Sequence, residues 1–433
     1  MTPATRERVT ALIRNAGFDL VRVAAAAPLH NEKARFLRWI EEGRAGEMRW
    51  ITPDWARRSS DPSEALPGAR SVICVGVAYR TEDRTAPEQG QGLVARYAWG
   101  KDYHQVMGEM LELAARSLRA EFGGSQRWFV DTGPAMDKAL AARAGLGWYG
   151  KNTTLLTEEF GSYVLLGEII TTLEIEPDGP VHRDCGSCRL CIVACPTGAL
   201  GPDYSIDSRR CISYLTIEHR GPIPVELRPL MGAWVFGCDI CQDVCPPSNE
   251  PYLPSAEVKA AWRASLRRAV AATRPGMRAT GAGSRPLPVP AASKAGPDRD
   301  AMSGMTGALA TPGGRQSVDL LDLLQLTHEQ YLALFRGTSI RRAKAWMLRR
   351  NAAVALGNTG EADALGPLDL AMRTDEHEIV RGHAAWALGR VAARTGRTAS
   401  TLLERALETE ADETVRSEIE AALRCTAGSA TVP

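Results

Sequence analysis

The sequence has no long hydrophobic run, no apolar signal segment near its start and almost no net charge. No stretch approaches the roughly 18 consecutive apolar residues of a membrane-spanning helix, so no membrane contact is expected. The first twenty residues carry Glu7 and Asp19 in a helical pattern, without an apolar signal core or a twin arginine. We therefore expect a mature, cytoplasmic protein in a reducing compartment. The net charge of +1 neither favours nor excludes a polyanionic partner, so any such contact must come from local patches.

Overall composition is that of an ordinary globular protein, with 44% hydrophobic and 24% charged residues. A chain of 433 residues predicts about three domains. Cysteine is distributed unevenly, because eight of the ten lie between Cys185 and Cys245. The first run has the spacing C-x2-C-x2-C-x3-C-P and consists of Cys185, Cys188, Cys191, Cys195 and Pro196. This spacing is typical of two-cluster ferredoxins, in which the fourth cysteine binds the other cluster.

A second run is one cysteine shorter and consists of Cys238, Cys241, Cys245 and Pro246. Cys211, between the runs, completes the count. The pattern predicts one 4Fe–4S cluster on Cys185, Cys188, Cys191 and Cys245. It predicts the other on Cys195, Cys211, Cys238 and Cys241. Zinc is an alternative, but four thiolates in one local segment suit paired clusters better than a zinc ribbon. A disulfide framework would require a small secreted chain.

The pattern of apolar runs and helical segments in residues 1–176 predicts an α/β region. The Val- and Ile-rich strands are expected at Ser71–Tyr79 and Tyr163–Ile175, and helices at Gln105–Ala120 and Pro134–Leu146. Residues 177–250, rich in Gly, Pro and Cys, form the predicted cluster domain. A further helix is predicted at Ala256–Ala272. The segment Thr273–Gly314 has almost no large apolar residues and predicts a flexible linker or insertion.

Residues 318–425 predict a helical repeat domain. The segments Arg350–Asn358 and Arg381–Arg390 share the letters ALG, which end at Gly357 and Gly389, 32 residues apart. A fainter copy follows at Thr414–Leu423. This period indicates HEAT-like helix pairs, in which small residues let the helices stack closely. Because three copies are the minimum for a stable stack, we expect them to lean on the preceding domain. Unrelated amphipathic helices are the alternative.

Asp131 is the leading candidate for chemistry in the first region. It follows a predicted strand, where ligands gather in α/β proteins, and precedes a helix predicted to begin at Pro134. The alternative is that Asp131 or Thr132 merely caps this helix. Downstream, glycines allow the backbone to pass close to a bulky ligand, and aromatic and polar side chains follow them. These residues are Gly145, Gly147, Trp148, Tyr149, Gly150, Lys151 and Asn152.

Several separate motifs, in order, resemble the epoxyqueuosine reductase family of cobalamin-dependent iron–sulfur enzymes. They are ARYAWGKDYH (Ala95–His104), VDTGP (Val130–Pro134), GWYGKNT (Gly147–Thr153), Asp184–Leu200, CISYLTIE (Cys211–Glu218), FGCDICQDVCP (Phe236–Pro246) and the repeat helices. The resemblance covers nearly the whole chain apart from Thr273–Gly314. One departure is Pro246-Pro247-Ser248-Asn249, where the family commonly has Pro-Trp-Asn.

The resemblance implies a nitroreductase-like cobalamin domain, a ferredoxin-like domain with two 4Fe–4S clusters, and C-terminal α-helical HEAT-like repeats. It implies reduction of epoxyqueuosine to queuosine at the wobble position of tRNA, with an external low-potential electron donor and a monomeric enzyme. Asp131 matches the proton donor, which requires burial to keep its carboxyl protonated near neutral pH. The implied cobalamin contacts are Arg57, Tyr97, Asp131, Lys151, Asn152 and Ser213. Arg57 could equally be a surface charge, and Tyr97 a packed core ring.

A basic run without acidic residues precedes and enters the first repeat helix. It comprises Arg336, Arg341, Arg342, Lys344, Arg349 and Arg350. Such a run suits phosphate contacts to the anticodon stem-loop of tRNA, although a solvated helix face is the common alternative.

Two other functions are compatible with paired clusters. A reductive dehalogenase also combines cobalamin with two 4Fe–4S clusters, but usually carries an export signal and lacks a HEAT tail. A non-catalytic ferredoxin-type carrier with a protein-binding solenoid would leave residues 1–176 without a function.

Overall fold

The computed structural model describes residues 3–80, 88–248 and 317–428. The predicted helix Ala256–Ala272, the predicted linker Thr273–Gly314 and Asn249 lie outside the described residues. In the described parts of the chain, no helix is both long and apolar enough to cross a bilayer.

The first region is built on a four-stranded sheet with the strand order β1-β2-β7-β4. Its strands are β1 (Leu20–Ala25), β2 (Ser71–Ala78), β4 (Gln126–Phe129) and β7 (Val164–Thr171). All neighbouring strands are antiparallel. The predicted strands are therefore confirmed, but the rule for ligand sites at the ends of parallel strands does not explain the position of Asp131.

Helices cover both faces of this sheet. They are α1 (Pro3–Asn15), α2 (His30–Glu41), α3 (Pro53–Ser59), α4 (Pro62–Ala65), α5 (Tyr103–Phe122) and α6 (Asp137–Arg143). Ile73 and Val75 of β2 pack with α1 and α5, whereas Val72 and Cys74 pack with α6 on the opposite face. Alternate side chains of a strand point to opposite faces, so a strand covered on both sides is apolar throughout. This explains why β2 is buried along its whole length.

The cysteine-rich region contains short elements joined by loops. They are α7 (Leu190–Ala194), α8 (Ile212–Ile217), β8 (Trp234–Phe236) and α9 (Ile240–Asp243). The first region also contains a two-stranded hairpin of β5 (Trp148–Tyr149) and β6 (Leu155–Leu156). Short 3-10 helices occur here and elsewhere, at Arg96–Ala98, Ser208–Arg210, Arg228–Met231, Pro246–Ser248, Ser339–Arg342 and Ala362–Ala364.

A small second sheet joins the three predicted regions. Its central strand, β3 (Gln91–Val94), comes from the first region and runs parallel to β8 of the cysteine-rich region. On its other side, β3 pairs antiparallel with β9 (Ser317–Asp319), which leads into the repeat helices. Each predicted region therefore contributes one strand to a shared sheet.

The C-terminal region is helical, as predicted. Its helices are α10 (Leu320–Leu324), α11 (His328–Leu334), α12 (Ala345–Thr359), α13 (Leu365–Thr374), α14 (Glu378–Thr395), α15 (Ser400–Thr409) and α16 (Glu413–Gly428). A side chain at Gly357 of α12 would collide with the Trp386 ring of α14, and one at Gly389 would lie 3.1 Å from Ala422 of α16. The two glycines of the repeat thus permit the close stacking that their spacing predicted.

The repeat helices rest on the cysteine-rich region, as expected for so short a stack. The amide of Asn351, buried on α12, donates to the carbonyl oxygens of Thr216 and Val235, both at 2.9 Å. Arg228 forms a two-bond ion pair with Glu418 of α16, at 2.9 and 2.6 Å. These bonds satisfy polar groups that would otherwise be buried without partners.

Candidate functional site

Asp131 lies in a loop between β4, which ends at Phe129, and α6, which begins at Asp137. The helix does not begin at Pro134, and its N-cap residue, Met136, makes no side-chain capping bond. The alternative that Asp131 caps the helix is therefore wrong. Asp131 has a φ of +55°, a left-handed conformation that non-glycine residues adopt at a cost of order 1 kcal/mol.

Two residues at the start of α5 hold the Asp131 carboxylate. The Tyr103 hydroxyl donates a hydrogen bond to Asp131 Oδ2 at 2.6 Å. His104 Nε2 lies 3.3 Å from the same oxygen, and His104 Nδ1 lies 2.7 Å from Asp102 Oδ1. Asp102 is also the N-cap of α5, so the cap of this helix fixes the imidazole. The imidazole thus bridges two carboxylates.

This arrangement determines where the proton resides. Burial raises the pKa of Asp131, but the hydrogen bonds from His104 and Tyr103 lower it further than burial raises it. Burial lowers the pKa of His104, yet the bonds to Asp102 and Asp131 outweigh this and raise it to about 9. The expectation that burial keeps Asp131 protonated is therefore wrong. These shifts favour an ionised Asp131 and a protonated His104 near neutral pH.

Asp131 lies in a recess that extends toward the cysteines. Its side chain is 61% exposed, although burial is the largest single influence on its pKa, as expected for a group inside a concave opening. Lys138 is similarly exposed, yet desolvation lowers its pKa, opposed by the charges of Asp131, Asp137 and Cys241. The Lys138 ammonium also donates to the carbonyl of Thr153 at 2.9 Å. Lys138 is therefore near enough to both Asp131 and Cys241 for their charges to act on it.

Two more acids lie behind the loop. Glu168 of β7 is buried, and burial together with Asp137 raises its pKa well above the usual range. Burial also raises the pKa of Asp137, to about 6. Glu168 Oε1 has no hydrogen-bond partner among the described residues. Glu168 is the one charged residue in the otherwise apolar strand β7, and this pattern in the sequence could have identified it.

The cobalamin candidates occupy three different places. Tyr97 lies edge-on to Tyr103 at 6.0 Å, and the Asp131 charge contributes to its raised pKa after burial. Ser213 is half-buried at the start of α8, and its backbone N–H helps to lower the pKa of the Cys211 thiol, which burial raises. Arg57 is exposed on α3 and pairs with Asp54 and Glu64, as expected for a surface charge.

Lys151 and Asn152 lie beside the cysteines. The Lys151 ammonium donates to the carbonyl oxygens of Gly186 and Cys188, at 2.6 and 3.0 Å. Asn152 is buried and its oxygen accepts bonds from the backbone and hydroxyl of Thr154. Two of the three ammonium donors of Lys151 are therefore used to hold the first cysteine loop.

The first predicted cysteine set lines one small pocket. Its lining consists of Lys151, Asn152, Leu156, Cys185, Cys188, Leu190, Cys191, Cys245 and Pro246. The backbone N–H of Lys151 lies 3.4 Å from Cys185 Sγ, a donor of the kind that tunes cluster potentials. Burial and the neighbouring cysteines raise the pKa of the Cys245 thiol to about 12. Four thiols around one pocket are suitable ligands for one cluster.

The second predicted set is also brought together. Burial raises the pKa of Cys241, and Cys211 and Cys195 raise it further. Burial and the charge of Cys241 also raise the pKa of Cys238. The N–H of Ala199 donates to Cys195 Sγ at 3.3 Å. Cys241 also interacts with Cys191, so the two sets are neighbours. No disulfide joins any of the ten cysteines, all of which lie in the described residues, and this removes the disulfide alternative.

The basic run divides into two groups. Arg336, Arg341, Arg342 and Lys344 are exposed. Arg349 and Arg350, on α12, are buried. The guanidinium of Arg349 is bonded to Asp375, Glu376 and the carbonyl of Leu326. For Arg349 and Arg350 the predicted tRNA contact is therefore wrong, since a buried and fully bonded guanidinium cannot reach a phosphate.

Comparisons with known proteins match each part of this architecture. Residues 59–132 match the family described as Epoxyqueuosine reductase QueG, DUF1730. Residues 184–248 match the 4Fe-4S double cluster binding domain, and residues 338–424 match HEAT repeats. The last two ranges lie within the predicted boundaries 177–250 and 318–425.

Similar proteins span nearly the whole chain. Epoxyqueuosine reductase from Xanthomonas campestris is 34% identical over 88% of this chain and 94% of its own length. The protein of that name from Bacillus cereus is 32% identical over 96% and 95%. A crystal structure of epoxyqueuosine reductase with an epoxyqueuosine-modified tRNA-Tyr stem loop has a TM-score of 0.77 and 30% identity, and covers 98% of this chain and 99% of its own.

A double-cluster domain, an acid-bordered recess and a HEAT-repeat domain together define an iron–sulfur oxidoreductase. The chain belongs to the epoxyqueuosine reductase family. Membership excludes a non-catalytic carrier and favours this family over the dehalogenases. The double-cluster match also confirms iron–sulfur binding over zinc, and the predicted HEAT repeats are confirmed.

Proposed function

We propose that this protein reduces epoxyqueuosine to queuosine at the wobble position of tRNA, the last step of queuosine synthesis. The observation that carries the proposal is the hydrogen-bonded group of Asp131, Tyr103 and His104, with the charge of Cys241 acting on Lys138 beside it. A reductive opening of an epoxide needs both a proton source and an electron source at one place. Family membership supplies the identity of the substrate.

The reaction consumes two electrons and two protons. Both C–O bonds of the epoxide break, the two carbons form a double bond, and the oxygen leaves as water. Bound cobalamin would supply a low-potential metal centre for this two-electron reduction. The residues near Asp131 that would contact the cofactor or substrate are Tyr97 and Lys138, together with Asp131 itself. Ser213, at the start of α8, is a further cofactor candidate. We retain Arg57, Lys151 and Asn152 as weaker cofactor candidates.

Asp131 donates a proton that it first receives from its neighbours. When substrate and cofactor exclude water from the recess, the Asp131 carboxylate loses solvation and its pKa rises. Tyr103 and His104 share one carboxylate oxygen, so a proton moves to Asp131 along an existing hydrogen bond. Asp102 keeps the imidazole oriented throughout. Asp131 can thus act as the acid although it is ionised in the resting protein.

The two cysteine sets define an electron path. The set Cys195, Cys211, Cys238 and Cys241 holds the cluster nearer the recess, because Cys241 acts on Lys138 at its border. The set Cys185, Cys188, Cys191 and Cys245 holds the outer cluster. An external low-potential donor delivers electrons to the outer cluster. We place the reaction in the cytoplasm, in a monomeric enzyme, and assign the first region to a nitroreductase-like fold by its family resemblance.

Nucleoside analysis of tRNA tests the proposal directly. A strain lacking the gene should accumulate epoxyqueuosine in tRNA, and the cloned gene should restore queuosine. Purified protein with about eight iron atoms per chain, hydroxocobalamin and a chemical reductant should convert epoxyqueuosine-tRNA in vitro. Normal queuosine in the deletion strain, or bound zinc in place of iron, would refute the proposal.

A further inference from the structure

Trp50 presents an aromatic ring to solvent. Its side chain is 47% exposed, more than any other Trp, Tyr or Phe in the described parts of the chain. The ring lies in the turn before α3, and the guanidinium carbon of Arg342 lies 4.7 Å from its centroid. A cation over the ring stabilises an indole in a fixed orientation. An aromatic ring left this exposed needs an explanation, since the fold gains little from it.

Arg342 is itself held in place. Its guanidinium donates two bonds to the Glu218 carboxylate, at 2.8 and 3.1 Å. Glu218 follows α8, whose first residues adjoin Cys211 of the second cysteine set. The stacked pair is therefore anchored to the cluster region, although Trp50 itself belongs to the first region. Fixing both planes in advance reduces the ordering entropy that a ligand would otherwise have to overcome.

The pair borders the catalytic recess. The charges of Asp131 and Tyr103 act on the pKa of Arg342, after the larger effects of Glu218 and burial, which places them close to the guanidinium. The next exposed cations along the chain are Arg341 and Lys344. A substrate reaching Asp131 from this side therefore passes an aromatic surface and a group of positive charges.

We infer that the Trp50 ring, backed by Arg342, stacks an unpaired nucleobase of the tRNA anticodon loop beside the wobble nucleotide. The inference rests on the proposed function, and it adds the part of the substrate that this surface binds. A base inserted into a recess leaves its neighbours in the loop without a stacking partner. Proteins that bind single-stranded RNA commonly replace that partner with an aromatic ring or a guanidinium plane.

Binding of a labelled RNA anticodon stem-loop to the cluster-loaded protein tests the inference without relying on turnover. Trp50→Ala should weaken binding by about tenfold or more, the size expected for one stacked base. Trp50→Phe, which keeps a ring, should restore most of the affinity. Leu113→Ala removes a comparably exposed apolar side chain from the outer face of α5 and should leave affinity unchanged. Thermal melting of each variant shows whether the protein is folded.

Abasic substitutions in the RNA identify the base. Removing one loop base adjacent to the wobble position should weaken binding to the wild-type protein by a similar factor. The same removal should have little further effect on Trp50→Ala, because the two changes delete the same contact. Trp50→Ala should leave the salt dependence of binding unchanged, whereas Arg342→Met should reduce the slope by about one ion.

The outcomes separate this inference from the proposed function. If the wild-type protein binds the stem-loop and the folded Trp50→Ala variant binds it with the same affinity, the stacking role is wrong, whatever the enzymatic result. Additive losses from Trp50→Ala and every abasic RNA also overturn it. Tight, Trp50-dependent binding without reduction of epoxyqueuosine-tRNA would support the stacking surface and reject the proposed reaction.

Discussion

Two regions of this protein shift the pKa of a histidine side chain in opposite directions, at His104 and at His383. His104 borders the recess between Asp102 and Asp131, and its pKa is raised to about 9. His383, on α14, is buried at the contact between the repeat helices and the cysteine-rich region. Its Nε2 accepts a bond from the N–H of Ile223 at 3.1 Å, and burial lowers its pKa well below the usual value. One imidazole is charged and accessible, and the other is neutral and structural.

The arginines repeat this contrast. Arg342 is exposed and shares an ion pair, whereas Arg350 is fully buried and donates to carbonyl oxygens of His219, Gly221 and Leu215 at 2.7 to 2.9 Å. Both lie in one basic run of the sequence. Burial and the number of internal partners, rather than residue type, thus separate the groups available to a substrate from those that hold the domains together.

The largest expected effect is at the recess. Asp131→Asn should reduce turnover by about 10²- to 10⁴-fold, the usual contribution of a positioned general acid. Iron content should stay unchanged, and thermal stability should fall only slightly, because Asp131 lies in an exposed loop and its stabilising effect is on His104. Turnover of epoxyqueuosine-tRNA under single-turnover conditions measures the effect. Near-normal turnover would remove Asp131 from the mechanism.

At the domain contact, the expected effect is on folding. Arg350→Met leaves several buried carbonyl oxygens without donors, each costing about 1–3 kcal/mol, so we expect a loss of at least 3 kcal/mol in the free energy of unfolding. Urea unfolding measures it. The matched variant Arg341→Met, at an exposed position, should change stability by no more than about 0.5 kcal/mol. If the two variants lower the free energy of unfolding equally, burial does not distinguish the role of Arg350 from that of Arg341.

A titration compares the two histidines directly. Because its pKa is raised in the folded state, the stabilisation from His104 is fully present below pH ~6.5 and is lost as pH rises through about 9. The pKa of His383 is lowered, so its stabilisation is present above pH ~6.5 and is lost on acidification.

NMR of labelled histidine should show His104 titrating near pH 9. His104→Gln should flatten the alkaline side of the stability profile, and His383→Gln the acid side. A His104 signal that titrates near 6.5 would contradict the bridged geometry.

The smallest effect concerns salt. Arg341→Met should reduce the slope of log affinity for the stem-loop against log salt by about 0.7 to 0.9, the value for one lost phosphate contact. Arg349→Met should leave the slope unchanged, because that guanidinium is bonded inside the protein. If Arg349→Met lowers the affinity for the stem-loop, the decrease should be in proportion to its loss of stability. Equal slopes for both variants and the wild type would place the phosphate contacts elsewhere.

The sequence was sufficient where spacing alone sets geometry. Cysteine runs predict cluster ligands because a short loop must surround its metal, and the 32-residue spacing of Gly357 and Gly389 predicts helix stacking because only small residues allow it. Strands β2 and β7 of the first sheet followed from their apolar pattern. Their antiparallel pairing did not, because a strand buried on both faces has the same composition in either arrangement.

The recess could not be predicted in the same way. Tyr103 and His104 belong to a motif recognised in the sequence, but their contact with Asp131 joins residues about 28 positions apart across a loop. The helix predicted at Pro134 begins at Asp137 instead, and this gives Asp131 a loop rather than a helix cap. Likewise, nothing in the basic run reveals that Arg349 and Arg350 point inward, because their acceptors are backbone carbonyls and acids of other segments.

The small sheet around β3 has a consequence for biosynthesis. One of its edges comes from residues 317–319, more than 220 positions after Gln91. A nascent chain must therefore be translated well past the cluster ligands before β3 has both neighbours, and the apolar residues beneath it, Val235 and Leu320, remain uncovered until then. A fragment truncated at residue 248 should accordingly aggregate rather than fold into an autonomous electron-transfer unit.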